Sequence, residues 1–324
     1  MSEKNIFDYA TKELSQDAFL RWFFESYEDP NVGNAVFAFL KEFCGLELTI
    51  DDIVSIKTEA QWKHIDVHVM IKTKQQREYD IFIEDKVFSG EHNQLEGYND
   101  DIDKYLKRND CIIKLFYKLA ILGNDELDRV NNAGWRSIDI EAIHIFFNKY
   151  DSTKSYLLKQ YIEHVQRVNE LFSNKKRPDD SDDYQNLIRW QAYFIKAIVP
   201  KIETQYRDRV NWVAEIGVYG YAYLYIKRKS DSKAPYLEIR SRECHNGKFR
   251  AMILCYGIDE SVLKAKQPAL IAEIEKDTVF KKSKLYHKNG KNPKQIGETE
   301  LIEETDENIN KCIEHYLKVM EAWK

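Results

Sequence analysis

Residues 64–87, HIDVHVMIKTKQQREYDIFIEDKV, hold two apolar runs on either side of a polar stretch. His64 to Ile71 and Tyr79 to Val87 each alternate as a β-strand does, and Lys72 to Glu78 reads as the turn between them. Alternation puts Glu84 and Lys86 on one face of the second strand, with Ile81, Ile83 and Asp85 on the other. A carboxylate and an ammonium side by side in a buried strand need a reason, because burying charge is costly. Asp66 lies in the first strand between Ile65 and Val67. Pairing through the turn lets Asp66 face Glu84. Two carboxylates with a backbone carbonyl and waters make a hard-oxygen site suited to Mg²⁺ or Mn²⁺. Lys86 beside them can orient or deprotonate a water, or stabilise negative charge developing at a phosphate.

Working outward, Ile53 to Glu59 reads as a strand before this pair, and Cys111 to Tyr117 as a buried strand after it. A polar helix over about 91–108 separates the last two. Two helices precede the strands. One spans 8–27, with Ala10, Leu14, Ala18, Trp22 and Phe19, Phe23 at helical spacing; the other runs from Val32 to Cys44 and ends at Gly45. The order α-α-β-β-β-α-β predicts a meander of three strands. The fourth strand, joined through a crossover helix, lies parallel to the third. The fold class expected is therefore α/β, a mixed sheet flanked by helices.

Residues 139–172 read as helical. Asn174 to Asp183, NKKRPDDSDD, has no apolar residue and reads as a linker. Beyond it stand a helix from Tyr184 to Tyr206 and strands near 212–226, 235–240 and 249–256. Helices follow near 259–275 and 306–323. This part reads as an α+β region built on an antiparallel sheet. The division expected is 1–174, a linker at 175–183, and 184–324.

The chain has 324 residues, 43% of them hydrophobic and 13% aromatic, enough apolar side chain to exclude wholesale disorder. No apolar run is long enough to span a bilayer. The opening Met1-Ser2-Glu3-Lys4-Asn5 lacks the pattern of a secretory signal. The five cysteines include no C-x-x-C pair, so no cysteine-bound cluster is encoded, and a reducing cytoplasm is the compartment expected. No Gly-x-Ser-x-Gly elbow and no phosphate-binding Gly-rich loop occur. The net charge of −5 is unevenly spread, at −10 over residues 1–174 and +5 over 175–324. Lys276 to Lys294 holds seven lysines (Lys276, Lys281, Lys282, Lys284, Lys288, Lys291 and Lys294) against one acid, Asp277, with Phe280 and Tyr286 between them. Lysines interleaved with aromatics suit a nucleic-acid backbone and unstacked bases, and a solvated loop is the plainer alternative.

Gln94 and Tyr98 stand four apart and share one face of the helix after the third strand. Asp66, then Glu84-x-Lys86, then Gln94-x-x-x-Tyr98, within α-β-β-β-α-β, resembles the PD-(D/E)XK nuclease superfamily. The Gln-x-x-x-Tyr helix is similar to that of its RecB-like and phage-exonuclease branch. The opening, Asn5-Ile6-Phe7-Asp8-Tyr9-Ala10-Thr11-Lys12-Glu13-Leu14-Ser15-Gln16-Asp17, resembles a set of standalone bacterial members. The resemblance implies a restriction-endonuclease-like core over about residues 5–120. It makes Asp66 and Glu84 metal ligands, joined by Glu13 from the first helix. Lys86 becomes the catalytic lysine, and Gln94 and Tyr98 complete the site. It implies Mg²⁺ or Mn²⁺ as cofactor, nucleic acid as partner with DNA ahead of RNA, no membrane partner, and phosphodiester hydrolysis in anti-phage defence or DNA processing. A homodimer is compatible with it. Asp66 follows Ile65, where the superfamily's name has a proline.

Three other readings stand beside this one. The core could be a catalytically silent nucleic-acid-binding module. Residues 184–324 could be a sensor with the core as output. His64-x-Asp66-x-His68 could hold zinc from one strand face, although no second histidine cluster is present to complete a tetrahedral site.

Overall fold

The computed structural model describes all residues except 1–4, 10–11, 91–93, 106–110, 174, 180–183, 218–219, 230–233, 256–257, 277, 284–293 and 324, and omits the side chains of 8, 12, 13, 184, 260 and 294. The chain divides into two compact units: Met1–Leu122 with Glu126–Leu171, and Gly123–Asp125 with Phe172–Lys324.

The first unit begins with helices α1 (Lys12–Glu25) and α2 (Gly33–Cys44). Gly45 ends α2 at φ 71°, its N–H reaching the carbonyls of Leu40 and Lys41. Strands β1 (Ile53–Trp62), β2 (Ile65–Thr73) and β3 (Glu78–Lys86) follow, then α3 (Leu95–Tyr105) and β4 (Ile112–Lys118). The strands lie in the order β1-β2-β3-β4-β5, where β5 is Arg136–Ile138. The first two pairings are antiparallel and the last two parallel. This is the mixed sheet expected, extended by β5 and by the helix before it, α4 (Asn124–Asn132). Three residues of strand are too few to show alternation, which is why β5 escapes the sequence pattern.

The stretch expected to be helical over 139–172 holds two helices, α5 (Ile140–Asn148) and α6 (Tyr156–Ser173). The side chain of Asp139 caps α5 by accepting from the Ala142 N–H at 3.1 Å. Between β1 and β2 the chain turns through Lys63 and His64, at φ 50° and 72°, after Gln61 near the end of β1 at φ 53°. His64 therefore belongs to this left-handed turn and not to the strand expected to start there.

Two hydrophobic layers cover the sheet. One contains Phe19 and Phe23 of α1, Phe39 of α2, Phe147 of α5 and Tyr161 of α6, with the Phe19 and Tyr161 rings stacked at 3.6 Å. Tyr117 of β4 faces this layer. The other joins Ile65, Phe82 and Phe116 of the sheet to Leu95, Tyr98 and Ile102 of α3, and to Val130 and Trp135. Truncating one of these buried phenylalanines to alanine costs about 3–5 kcal/mol.

Helix α1 buries Gln16, Asp17, Phe19, Leu20, Phe23 and Phe24, and leaves Leu14 exposed. Ala18 is also exposed, so the inward face is not the one through Leu14, Ala18 and Trp22. The bulky pairs at 19–20 and 23–24 carry more apolar area and turn the helix their way. That rotation brings Asp17 inward.

The second unit opens with α7 (Tyr184–Tyr193), a π-helical turn at Phe194–Ile198, and α8 (Val199–Tyr206). One continuous helix was the expectation. Pro200, in the first turn of α8, lacks the N–H that an unbroken ladder needs there, and the wider turn precedes it. Strands β6 (Val210–Gly217), β7 (Tyr221–Arg228) and β8 (Tyr236–Arg240) follow. Then come β9 (Lys248–Phe249), β10 (Ala251–Cys255), α9 (Glu260–Ile274), β11 (Lys281–Lys282), β12 (Lys294–Glu298), β13 (Ile302–Glu303) and α10 (Asp306–Glu321). Six strands form an antiparallel sheet in the order β11-β12-β10-β8-β7-β6, and β13 pairs with β9. The stretch expected as one strand over 212–226 is the β6–β7 hairpin, turned at Gly220 with φ 72°. Among the described residues, no helix is long and apolar enough to cross a membrane.

Candidate metal and phosphate site

The register of β2 against β3 sets Val67 opposite Ile83, and just beyond that pair lie Asp66 of β2 and Glu84 to Lys86 of β3. Asp66 bridges the two strands. Its Oδ2 accepts from the Asp85 N–H at 3.0 Å, and its Oδ1 from Gln61 Nε2 at 2.9 Å. Glu84 and Lys86 are buried on the α3 side, with Lys86 Nζ 2.5 Å from Glu84 Oε1. Burial pushes the Glu84 carboxyl up to about 8; the Lys86 ammonium opposes this, and the Asp66 carboxylate adds to it. Tyr98, from α3, faces the same group. Its hydroxyl is raised to about 12, chiefly by burial and then by the charge of Glu84. It therefore stays a neutral donor at physiological pH.

On the opposite, α1 side of β3, Asp85 is fully buried beside Tyr117, its register partner on β4. Asp17 of α1 meets it carboxyl to carboxyl. Burial first, then Asp17 and Asp66, hold the Asp85 carboxyl well above the usual carboxylate range. Asp17, Asp66 and Asp85 each present an oxygen within 4.8 Å of the other two. Both Asp85 oxygens and Glu84 Oε2 are buried and accept no hydrogen bond from a described protein donor. Three carboxylates packed this closely need either protons or a cation between them. A divalent cation with oxygen preference fits that set, and its charge would return these carboxyls to their ionised form.

The structure thus brings Asp66, Glu84, Lys86 and Tyr98 together. Gln94 stands half-buried at the start of α3, and its carbonyl accepts the Tyr98 N–H at 3.1 Å. Glu13 lies on α1, but its side chain is outside the described residues. Sequence reasoning missed Asp17 and Asp85. The signal for Asp17 is a carboxylate on the face that also carries Leu20 and Phe24. The signal for Asp85 is a carboxylate in the strand position that continues Ile81 and Ile83.

His68 is used elsewhere: its Nε2 lies 2.9 Å from Asp80 Oδ1, and its ring stacks on Phe82 at 4.4 Å. Among the described residues, the group able to hold a metal contains no histidine.

Of the lysines between 276 and 294, Lys276 pairs with Glu273 at 2.5 Å and Lys281 with Glu300. Lys282 is exposed on β11. Lys284, Lys288 and Lys291 lie outside the described residues, as does the side chain of Lys294 on β12.

Residues 4–150 match a family model described as the PD-(D/E)XK nuclease superfamily. The match takes in the whole five-stranded sheet and ends before α6. Comparison with curated proteins and with solved structures gives no match.

Proposed function

Residues 4–150 belong to the PD-(D/E)XK nuclease superfamily, and on that premise we propose that the chain is a Mg²⁺- or Mn²⁺-dependent nuclease hydrolysing phosphodiester bonds. The observation that carries the reading is the convergence of Asp66, Glu84 and Lys86 at the paired ends of β2 and β3, with the buried carboxylates of Asp17 and Asp85 beside them. A divalent ion held by Asp66 and Glu84, with the buried carboxylates of Asp17 and Asp85 adjoining Asp66, would polarise a phosphate oxygen and acidify a water. Lys86, partly reachable by solvent, supplies positive charge where the phosphate would develop negative charge. Burial holds Glu84 toward neutrality, and a cation beside it would return the carboxyl to the ionised form that can hold the ion. The Tyr98 hydroxyl donates to the same group or to a phosphate oxygen.

In this proposal residues 1–174 are the nuclease core with its helical extension, 175–183 link it onward, and 184–324 are a basic domain for substrate binding or sensing. The cellular setting proposed is a bacterial cytoplasm, in anti-phage defence or DNA processing, with DNA ahead of RNA as substrate. The test is incubation of the purified chain with Mg²⁺ or Mn²⁺ on circular and linear duplex DNA, single-stranded DNA and RNA. Chelator-sensitive cleavage of any of these supports the reading. No cleavage of any, by protein shown to be folded, favours a silent binding module.

A further inference from the structure

Strand β7 of the second unit has two unlike faces. Ala222, Leu224 and Ile226 are buried, whereas Tyr221, Tyr223, Tyr225 and Lys227 keep part of their surface exposed. The three tyrosines repeat every second residue, about 6.7 Å apart along the strand. Their rings are 6.1 and 6.2 Å apart, and Tyr236 of β8 continues the row at 5.6 Å from Tyr225. The row carries cations on its ring faces. The guanidinium of Arg242 lies 4.3 Å above the Tyr221 ring and that of Arg240 5.1 Å from it, while Lys227 Nζ is 5.8 Å from the Tyr225 ring.

Two buried carboxylates fix the arrangement. Glu215 Oε2 accepts the Tyr223 hydroxyl at 2.6 Å, and Glu238 pairs with Arg240. They hold ring and guanidinium orientations while the tyrosines stay partly exposed and Arg242, 3.9 Å from Glu243, stays half exposed. Tyrosine suits an outward strand position by propensity alone. The pair with Glu238 accounts for Arg240; propensity leaves unexplained the second, half-exposed guanidinium of Arg242 over the same ring.

The geometry points to this tyrosine–arginine face as a platform for single-stranded nucleic acid, whose unstacked bases lie on the rings and whose phosphates meet Arg242 and Lys227. Duplex is a poor occupant, since its bases are already stacked and offer no free π-face. The inference deepens the nuclease reading by naming a single-stranded form of the substrate, and for that use of the bound strand it rests on that reading.

The experiment is fluorescence anisotropy of labelled oligothymidylate, oligouridylate and a duplex of equal length, with the full chain in chelator so that no strand is cut. The wild-type chain should prefer the single strands. Tyr221→Leu and Tyr225→Leu should each weaken single-strand binding about ten-fold. Tyr225→Phe, which keeps the ring, should bind as wild type. Arg242→Gln should reduce the slope of log affinity against log salt by about one. Thermal melting checks each variant, and Tyr221→Leu, next to the hairpin turn, serves if Tyr225→Leu does not fold. Wild-type affinity in a folded Tyr221→Leu chain, or equal affinity for duplex, would overturn the platform as a structural ladder only. Because binding is read without cleavage, a chain that binds through these rings but never cuts overturns the nuclease reading alone. A chain that cuts, and binds single strands regardless of the rings, overturns the platform alone.

Discussion

Two buried lysine–glutamate pairs stand side by side in the first unit. Lys86 and Lys118 are partners in the parallel register of β3 and β4, so their side chains leave the same face one strand apart. Lys86 meets Glu84, its neighbour but one on the strand. Lys118 meets Glu126 of α4, bonding both carboxylate oxygens at 2.8 and 2.7 Å. Both members of the Lys118 pair are 0% exposed, while Lys86 is 11% exposed. The contrast lies in what remains unspent. The Lys118 pair consumes the bonding capacity of its carboxylate and seals itself from water. The Glu84 pair leaves one oxygen without a donor, a second carboxylate at Asp66 close by, and an ammonium that solvent reaches. Burial of charge is common to both, so burial does not mark function here. Unused hydrogen-bonding capacity next to an opening does.

Substitution should separate the pairs most sharply. Lys86→Ala should lower cleavage by about 10²–10³-fold, because it removes charge at the reacting phosphate. It should scarcely move the melting temperature, since Glu84 can take a proton. Steady-state cleavage assays beside thermal melts check both halves. Near-wild-type cleavage would place the chemistry elsewhere. Lys118→Ala should do the reverse, costing about 3–5 kcal/mol of stability by stranding Glu126. Activity should then follow only the folded fraction in a denaturant titration. If Lys118→Ala is as stable as wild type, the pair is not the sealed structural bridge described above. Replacing both partners, as Lys118→Met with Glu126→Leu, should recover most of that loss.

A pH series sharpens the comparison next. A carboxyl with a raised folded pKa binds its proton more tightly in the folded chain, so its contribution to stability is full below the unfolded value of about 4.5. That contribution is lost as pH rises through about 8. The metal-free melting temperature should therefore fall between about pH 5 and 8. Glu84→Gln should flatten the fall, and added Mg²⁺ should lessen it. Equal slopes for wild type and Glu84→Gln would assign the titration to another group.

The smallest effect expected is electrostatic and lies in the second unit. Neutralising Lys281, Lys282 and Lys284 together should weaken nucleic-acid binding across all sequences and reduce the salt slope by at most about three. Lys281 is already paired with Glu300, so the change should fall below that bound. Binding titrations at several salt concentrations decide it, and an unchanged slope would make the loop a solvated surface.

The alternation that exposed Glu84, Lys86 and Asp66 in the sequence also gave the sheet its order, because a strand's faces repeat every second residue and need no tertiary knowledge. The helix carrying Tyr98, with Gln94 just before its first residue, was legible for a similar reason. Asp17 was not. Its place depends on which side of α1 turns inward, and Leu14, Ala18 and Trp22 offered a second stripe that competes with Phe19, Leu20, Phe23 and Phe24. Periodicity alone cannot rank two overlapping stripes; the area each buries can. Asp85 was read correctly as pointing away from Glu84, but nothing in the strand says what waits on that side. Its partner comes from a helix nearly seventy residues earlier. The π-helical turn before Pro200 and the three-residue strand β5 escaped because each is shorter than the window that reveals a period.

The turn from β1 to β2 has a consequence for anyone who would engineer this chain. Lys63 and His64 in the turn, and Gln61 just before it at the end of β1, hold left-handed backbone without being glycine, a conformation that costs a side-chain-bearing residue of order 1 kcal/mol each. One of them, Gln61, reaches Asp66 Oδ1. A library sorted for heat resistance alone would enrich glycine at 64, where relief of backbone strain is available at once; at 63 the change also gives up the Lys63 contact with Tyr105. At 61 the same relief strips an amide from the carboxylate that joins the two strands, so selection for heat resistance and selection for the proposed cleavage pull one position in opposite directions.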